Sequence, residues 1–213
     1  MQLSVLQSGR PLLQALAERW DSRSNAFVLP VGLLTISLED VVRLTGLRVS
    51  GLPVAGTMES GLRGLAATLL GESAPVRGNT MLLGLFPSHF GRGVQTTRHR
   101  SDSVESYARR RRRLQGRQLA AEPGPRADME LRGFMLYMFG RTLFASASDR
   151  VSLQLLPFLR DFEAVGTYLW GSALLAFLFH GLSAYHRGVY FAGFWPLVQV
   201  ISRSFFFRLL PNW

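Results

Sequence analysis

The sequence predicts a mainly α-helical fold: one compact helical domain that carries a small N-terminal β-hairpin and is interrupted by a basic, disordered insertion. Three observations point there. Apolar residues recur at helical spacing toward both ends of the chain. Hydrophobic residues make up 47% of the 213, enough to bury one substantial core without disulfide staples. Between the two patterned ends, residues 91–128 hold many arginines, few large apolar side chains and the run Glu122-Pro123-Gly124-Pro125. The expected organisation is an N-terminal part over 1–90, the insertion over 91–128, and a C-terminal helical part of the same domain over 129–213.

Leu12, Leu13, Leu16, Ala17 and Trp20 share one helical face, so the first element reads as an amphipathic helix ending in Glu18-Arg19-Trp20, with Pro11 in its first turn. Phe27 to Leu29 and Leu33 to Ile36 are short β-type runs around Pro30-Val31-Gly32, a hairpin signal with Pro30 at a turn or edge. Ser37 with Asp40 three residues on forms a capping box before Val41, Val42 and Leu44, and Gly46 ends that helix. Helices are expected over Leu62 to Leu70, over Thr80 to Phe90 with a break at Pro87, over Glu130 to Phe144, over Leu153 to Phe162 and over Thr167 to Tyr185. The last has no Asp, Glu or Arg and is about 28 Å long at 1.5 Å per residue, which on length alone would admit a membrane span. His180, Ser172, Ser183, Gly171 and Gly181 in its interior favour the centre of a helical domain instead, so no membrane is expected. Gln2, Gln7, Arg10 and Gln14 interrupt any signal-like run at the start.

Composition excludes several chemistries. All 24 basic residues are arginine, so there is no lysine for a pyridoxal phosphate Schiff base or a Walker-type phosphate loop. Cysteine is absent, which removes disulfides, thiolate metal sites and thiol nucleophiles. Histidines 89, 99, 180 and 186 lack a three- or four-residue ligand spacing, and His180 reads as a partnered core or groove residue. Gly-x-Ser-x-Gly is missing, Ser172 falls within a helix, and the fourteen acids mark no metal-binding triad. Glu39 and Asp40 are helix-start residues. No catalytic residue, cofactor or metal is expected.

Net charge is +10, and most of it lies in the insertion, where Arg92 to Arg117 holds nine arginines against Asp102 and Glu105. Arg109, Arg110, Arg111, Arg112 and Arg113 form an unbroken run whose guanidiniums repel one another and must face water, phosphate or an acidic receptor. Three readings stay open: a solvated loop, a nuclear import signal, or nucleic-acid contact. Tyr107 is the only aromatic nearby, so a base-stacking platform is not supported.

Two blocks of the sequence, Ala15 to Leu47 and Arg132 to Leu182, carry a set of unlike features in a fixed order. They are Glu18-Arg19-Trp20, Leu29-Pro30 leading through Gly32 into Thr35-Ile36-Ser37-Leu38, then Leu143-Phe144, Leu156-Pro157-Phe158-Leu159-Arg160-Asp161 and Tyr168-Leu169-Trp170-Gly171-Ser172-Ala173. In that order they resemble the plant mobile domain, a transposon-derived family once labelled "aminotransferase-like". Trp20, Pro30, Gly32, Leu156, Pro157, Asp161, Trp170 and Gly171 are the family-motif residues, with structural roles expected. The resemblance fades between Thr57 and Met129. It weakens after Gly193, where Leu197-Val198-Gln199 continues as Val200-Ile201-Ser202-Arg203 and an altered or shortened C-terminal helix is expected.

The resemblance implies a non-enzymatic nuclear protein-interaction module with roles in transposon silencing, genome stability and meristem development. The partner it implies is a phosphatase-like protein of the serine/threonine protein phosphatase seven type. The alternative is a transposon-encoded accessory protein that binds nucleic acid through the arginine run; a small single-span membrane protein is the remote one. Arg160-Asp161 reads as a local cap or ion pair, with partner binding as the sharper role. Oligomeric state is not fixed by the sequence.

Overall fold

A computed structural model describes residues 10–55, 61–72, 74–85, 124–146, 148–185 and 193–209. The chain divides into two units, one formed by Met1–Ala55, Arg141–Ser148 and Asp161–Trp213, the other by Gly56–Gly140 and Asp149–Arg160. Most regular structure among the described residues is helical, in keeping with the fold class read from the sequence.

In the first unit, α1 (Arg10–Ala17) leads into a three-stranded antiparallel sheet, β1 (Trp20–Asp21), β2 (Ala26–Leu29) and β3 (Gly32–Leu34), in that order. The hairpin expected at Pro30-Val31 is β2–β3, with Val28 opposite Leu33 and Phe27 opposite Leu34. Trp20 corrects the sequence reading, because α1 stops at Ala17 and Trp20 begins a strand paired with Phe27. The backbone there is extended, and the ring still reaches the core. Buried Leu16, Trp20, Phe27, Leu34, Ile36 and Val41 pack with Leu174, Leu178 and Leu182 of α6 (Trp170–Tyr185) and with Leu197, Val198 and Ile201 of α7 (Trp195–Leu209). This α7 is a 15-residue helix that begins at a tryptophan, so the C-terminal segment does form a helix.

Helix α2 (Leu38–Thr45) shows how local chemistry sets its ends. The Ser37 hydroxyl accepts from the Asp40 backbone N–H at 3.1 Å while Asp40 accepts from the Ser37 N–H at 2.9 Å, so two otherwise orphaned groups satisfy each other. At the far end Gly46 takes φ +69° and returns its N–H to Val42 O at 2.9 Å. A side chain there would be strained.

In the second unit, α3 (Leu62–Leu70) has the limits read from the sequence. The segment after it departs from expectation. In place of a helix from Thr80, β4 (Val76–Arg77) and β5 (Thr80–Leu82) pair antiparallel, a 3₁₀ turn covers Leu83–Leu85, and β6 (Arg150–Ser152) joins the far side of β5. A long helix, α4 (Pro125–Arg141), starts earlier than expected and takes up the end of the supposed insertion. Pro125 suits a first helical position because its missing N–H would have had no intrahelical partner. Residues 91–123 of that insertion lie outside the described residues.

Leu153 to Phe162 is likewise no continuous α-helix. It is a 3₁₀ helix over Leu153–Leu159 with Pro157 inside it, followed by the separate short α5 (Phe162–Val165). Proline lacks the N–H and crowds the carbonyl four residues back, which disfavours an α-helical path at that point. Arg132 binds the end of the 3₁₀ helix, donating Nε to Leu159 O at 3.0 Å and Nη2 to Arg160 O at 3.1 Å. Asp161 caps α5 through Oδ1, which accepts from the Glu163 N–H at 2.9 Å.

Candidate interaction surface

The inward face of the N-terminal sheet is spent on the core, since Phe27 and Leu34 are buried as a cross-strand pair. Side chains alternate along a strand, so the next pair points outward. Val28 and Leu33 are that pair, 50% and 65% exposed, and Val31 at the hairpin turn is exposed too. Arg19 lies across the sheet from Val28, donor and acceptor joined by Val28 N to Arg19 O at 2.8 Å, and is exposed. On α2, one turn apart, Leu38 and Val42 are exposed while Val41 is buried. Outward valines and leucines on a sheet and on a helix that share one packed core are side chains of the kind that desolvate against a protein partner.

The turn that leads into β2 is closed by side-chain hydrogen bonds. Asp21 closes the β1–β2 turn by accepting from the Ser24 hydroxyl at 2.7 Å and from the backbone N–H groups of Ser24 and Arg23 at 3.1 and 3.3 Å. The Ser24 hydroxyl, then the two N–H groups, hold its carboxyl below the ordinary value of 3.8. Thr35 Oγ1 donates to Asn25 O at 2.7 Å, tying the strand after the hairpin back to the same turn.

The motif residues at the other end of this unit support α6. Trp170 is buried, donates Nε1 to Val165 O at 2.8 Å, and lies 6.4 Å from the Phe144 ring and 6.1 Å from that of Tyr168. Gly171 donates its N–H to Arg48 O at 2.9 Å, and a Cβ on it would sit 2.9 Å from Val49 Cγ1 and 3.0 Å from Arg48 O. The neighbour that Gly171 admits is the 47–49 segment, which is not helical. Leu52 then donates to Thr167 O at 3.0 Å and accepts from Leu169 N at 2.8 Å, a parallel bridge to Tyr168. In the second unit Leu156 is buried and Pro157 half-buried; in the first, Pro30 at the hairpin turn and Gly32 at the start of β3 are exposed.

Other expected sites do not come together. His180 is exposed, against the reading of a core or groove residue, because its position on α6 faces away from buried Leu178 and Leu182. Among the described residues no three acids or histidines are placed to hold a metal ion, and no helix is long and apolar enough to cross a membrane. Arg109 to Arg113 lie outside the described residues. The outward Val28–Leu33 pair escaped the sequence reading, because Ala26-Phe27-Val28-Leu29 is apolar throughout and no alternation marks its outward side.

The family model of the plant mobile domain matches residues 1–212. The chain belongs to the plant mobile domain family. Its similarity to Protein MAIN-LIKE 1 of Arabidopsis thaliana is 30% identity over 177 residues, which is 80% of this chain and 30% of that protein. Protein MAINTENANCE OF MERISTEMS from the same plant is 31% identical over 169 residues, 79% of this chain and 31% of its own. A serine/threonine-protein phosphatase 7 long form homolog is 32% identical over 185 residues, 84% of this chain and 12% of that one. This plant mobile domain thus spans under a third of the length of these curated relatives. No solved structure matches it.

Proposed function

We propose that this plant mobile domain is a non-enzymatic protein-interaction module of the nucleus, acting in transposon silencing, genome stability and meristem development. The observation that supports the interaction role is the outward Val28–Leu33 pair, with Leu38 and Val42 also exposed on α2. Chemistry supports it from the other side, since a chain without lysine or cysteine has neither an amine for a Schiff base nor a thiol nucleophile. The partner we propose is a phosphatase-like protein of the phosphatase seven type. The motive for this partner is that one similar protein is named a serine/threonine-protein phosphatase 7 long form homolog.

The test is direct binding between the purified chain and a purified phosphatase 7 long form homolog, by calorimetry. Val28→Asp with Leu33→Asp should weaken binding at least tenfold while the thermal transition stays near wild type, because both side chains are exposed. Absence of binding by the wild-type chain, or equal binding by the double variant, rejects the surface.

A second reading is favoured by the placement of charge. With nine arginines between Arg92 and Arg117, Arg109 to Arg113 suit an import receptor or a phosphate backbone. Replacing the five with serine should abolish nuclear accumulation of a fusion too large for passive entry. If accumulation persists and a DNA mobility shift of the wild-type chain weakens steeply with salt, the nucleic-acid role replaces the import role.

A further inference from the structure

After α2 the chain crosses the amino-terminal end of α6 without burying a side chain there. Leu47 packs against the core, but from Arg48 to Leu52 every residue is exposed or half-buried, with Leu52 at 55%. Hydrogen bonds take the place of burial. Arg48 O accepts from the Gly171 N–H at 2.9 Å, and Arg48 Nη1 donates to Gly166 O at 3.1 Å. Leu52 donates its N–H to Thr167 O at 3.0 Å and accepts from the Leu169 N–H at 2.8 Å. Glycines permit the close approach on both sides: Gly171 on the helix, and Gly51, which takes φ +139° and whose added Cβ would overlap Thr167 O.

We propose that residues 48–52 are a reversible latch on α6, which opens and closes as a unit while the core around Leu174, Leu178 and Leu182 stays folded. A segment fixed by apolar burial is tied to global unfolding. One fixed by exposed backbone hydrogen bonds opens locally, because water replaces each partner as it is lost. The bonds that hold the start of α6 to its own surroundings, Ala173 N–H to Leu169 O at 3.0 Å and Trp170 Nε1 to Val165 O at 2.8 Å, do not pass through the segment. The helix therefore survives the opening, with water on the Leu169 and Gly171 donors. Both ends of the latch, the Arg48 O bond and the Leu52–Tyr168 bridge, lie within five residues, so they give way together. Leu47, anchored in the core, is the fixed end. The chain leaves the first unit after Ala55 and returns to it at Asp161, so the closed latch ties the outgoing connection to the returning one. Opening frees the stretch from Arg48 to Ala55 and lengthens the tether that runs on into the second unit.

Native-state hydrogen exchange of the full chain in increasing, sub-denaturing urea reads the latch amide by amide. The amides of Leu52, Leu169 and Gly171 should share one protection factor, at least about a hundredfold below that of Leu178 and Leu182. Their exchange should depend little on urea, because opening exposes little surface, whereas that of the two core amides should depend steeply. Gly51→Ala should speed exchange of the three latch amides equally, by at least about tenfold, and leave Leu178 and Leu182 unchanged. Arg48→Ala removes only the side-chain bond to Gly166 O; it should act on the same three amides to a smaller extent, and it serves if Gly51→Ala fails to fold. Latch amides with the protection and urea dependence of the core would overturn the proposal, since the segment would then open only on global unfolding. So would three unrelated exchange rates, which mean fraying of a helix end, or a loss of core protection in Arg48→Ala equal to that of the latch.

Discussion

The indole Nε1 of Trp20 donates to the Ser183 hydroxyl at 3.0 Å, a link between the first strand and the last turn of α6 across 163 positions of sequence. Around it the Trp20 ring meets Phe27 edge-on at 5.0 Å and Phe179 at 5.1 Å. The hydrogen bond lets a buried tryptophan keep its donor satisfied while its apolar area joins the core. Through it, the sheet that carries Val28 and Leu33 is fixed to the central helix.

Removing that acceptor should be felt. Ser183→Ala takes away the hydroxyl without changing the fold of α6, and the expected loss is about 1–3 kcal/mol in denaturant unfolding, the range for stranding a buried donor. Trp20→Phe in the same background removes the donor as well, so the two changes should be clearly non-additive. Simple additivity would show that the bond contributes nothing.

Trp170 sits at the other end of α6, where its ring lies against Phe144 and Tyr168 and its Nε1 binds Val165 O. Trp170→Ala should cost about 3–5 kcal/mol, as for other deleted buried aromatics. Trp170→Phe should recover more than half of that, since it keeps most of the apolar volume. A melting temperature that barely moves in the alanine variant would contradict the burial of the ring.

What the sequence disclosed, and what it hid, follows from the range of the interactions. Helix α2 could be read residue by residue because Ser37, Asp40 and Gly46 act within one turn of the chain. Helix α6 was legible as a long apolar run. The β4–β5–β6 sheet was not, for strands of two or three residues carry no measurable period, and β5 pairs with β6 through partners such as Met81 and Val151, far apart in sequence. Likewise Val28 and Leu33 look like core residues until the register shows Phe27 and Leu34 already occupying the inward side. Pro157 signalled its break plainly, but the apolar pattern around it outweighed that signal in the reading of one helix.

The Asp21 turn gives a pH dependence with a definite sign. Hydrogen bonds from Ser24 and Arg23 favour the carboxylate and depress its folded pKa, so the stabilisation is present above the ordinary value of 3.8 and is lost as pH falls through the lower folded value. Asp21→Asn should therefore lower the melting temperature at neutral pH, and the gap between variant and wild type should narrow as pH falls below 3.8. A gap that is constant with pH would assign the effect to turn shape instead of charge.

Two glycines on helices make a paired test of what close approach contributes. At Gly171 an added Cβ would meet Val49 Cγ1 at 2.9 Å and the Arg48 and Leu47 carbonyl oxygens at 3.0 and 3.1 Å. Two of these three neighbours are backbone, and Arg48 O already accepts the Gly171 N–H, so the 47–49 segment cannot retreat without loosening that bond. Gly64, within α3, has nothing within 4 Å of the same position and takes no positive φ. The intrinsic preference of a helix for alanine over glycine, about 0.5–1 kcal/mol, then stands alone at Gly64 and is opposed by overpacking of about 1–3 kcal/mol at Gly171. Gly64→Ala should stabilise the chain and Gly171→Ala destabilise it, by equilibrium unfolding under identical conditions. If both variants gain stability, the 47–49 segment yields easily and the docking of that segment against α6 is looser than the distances imply.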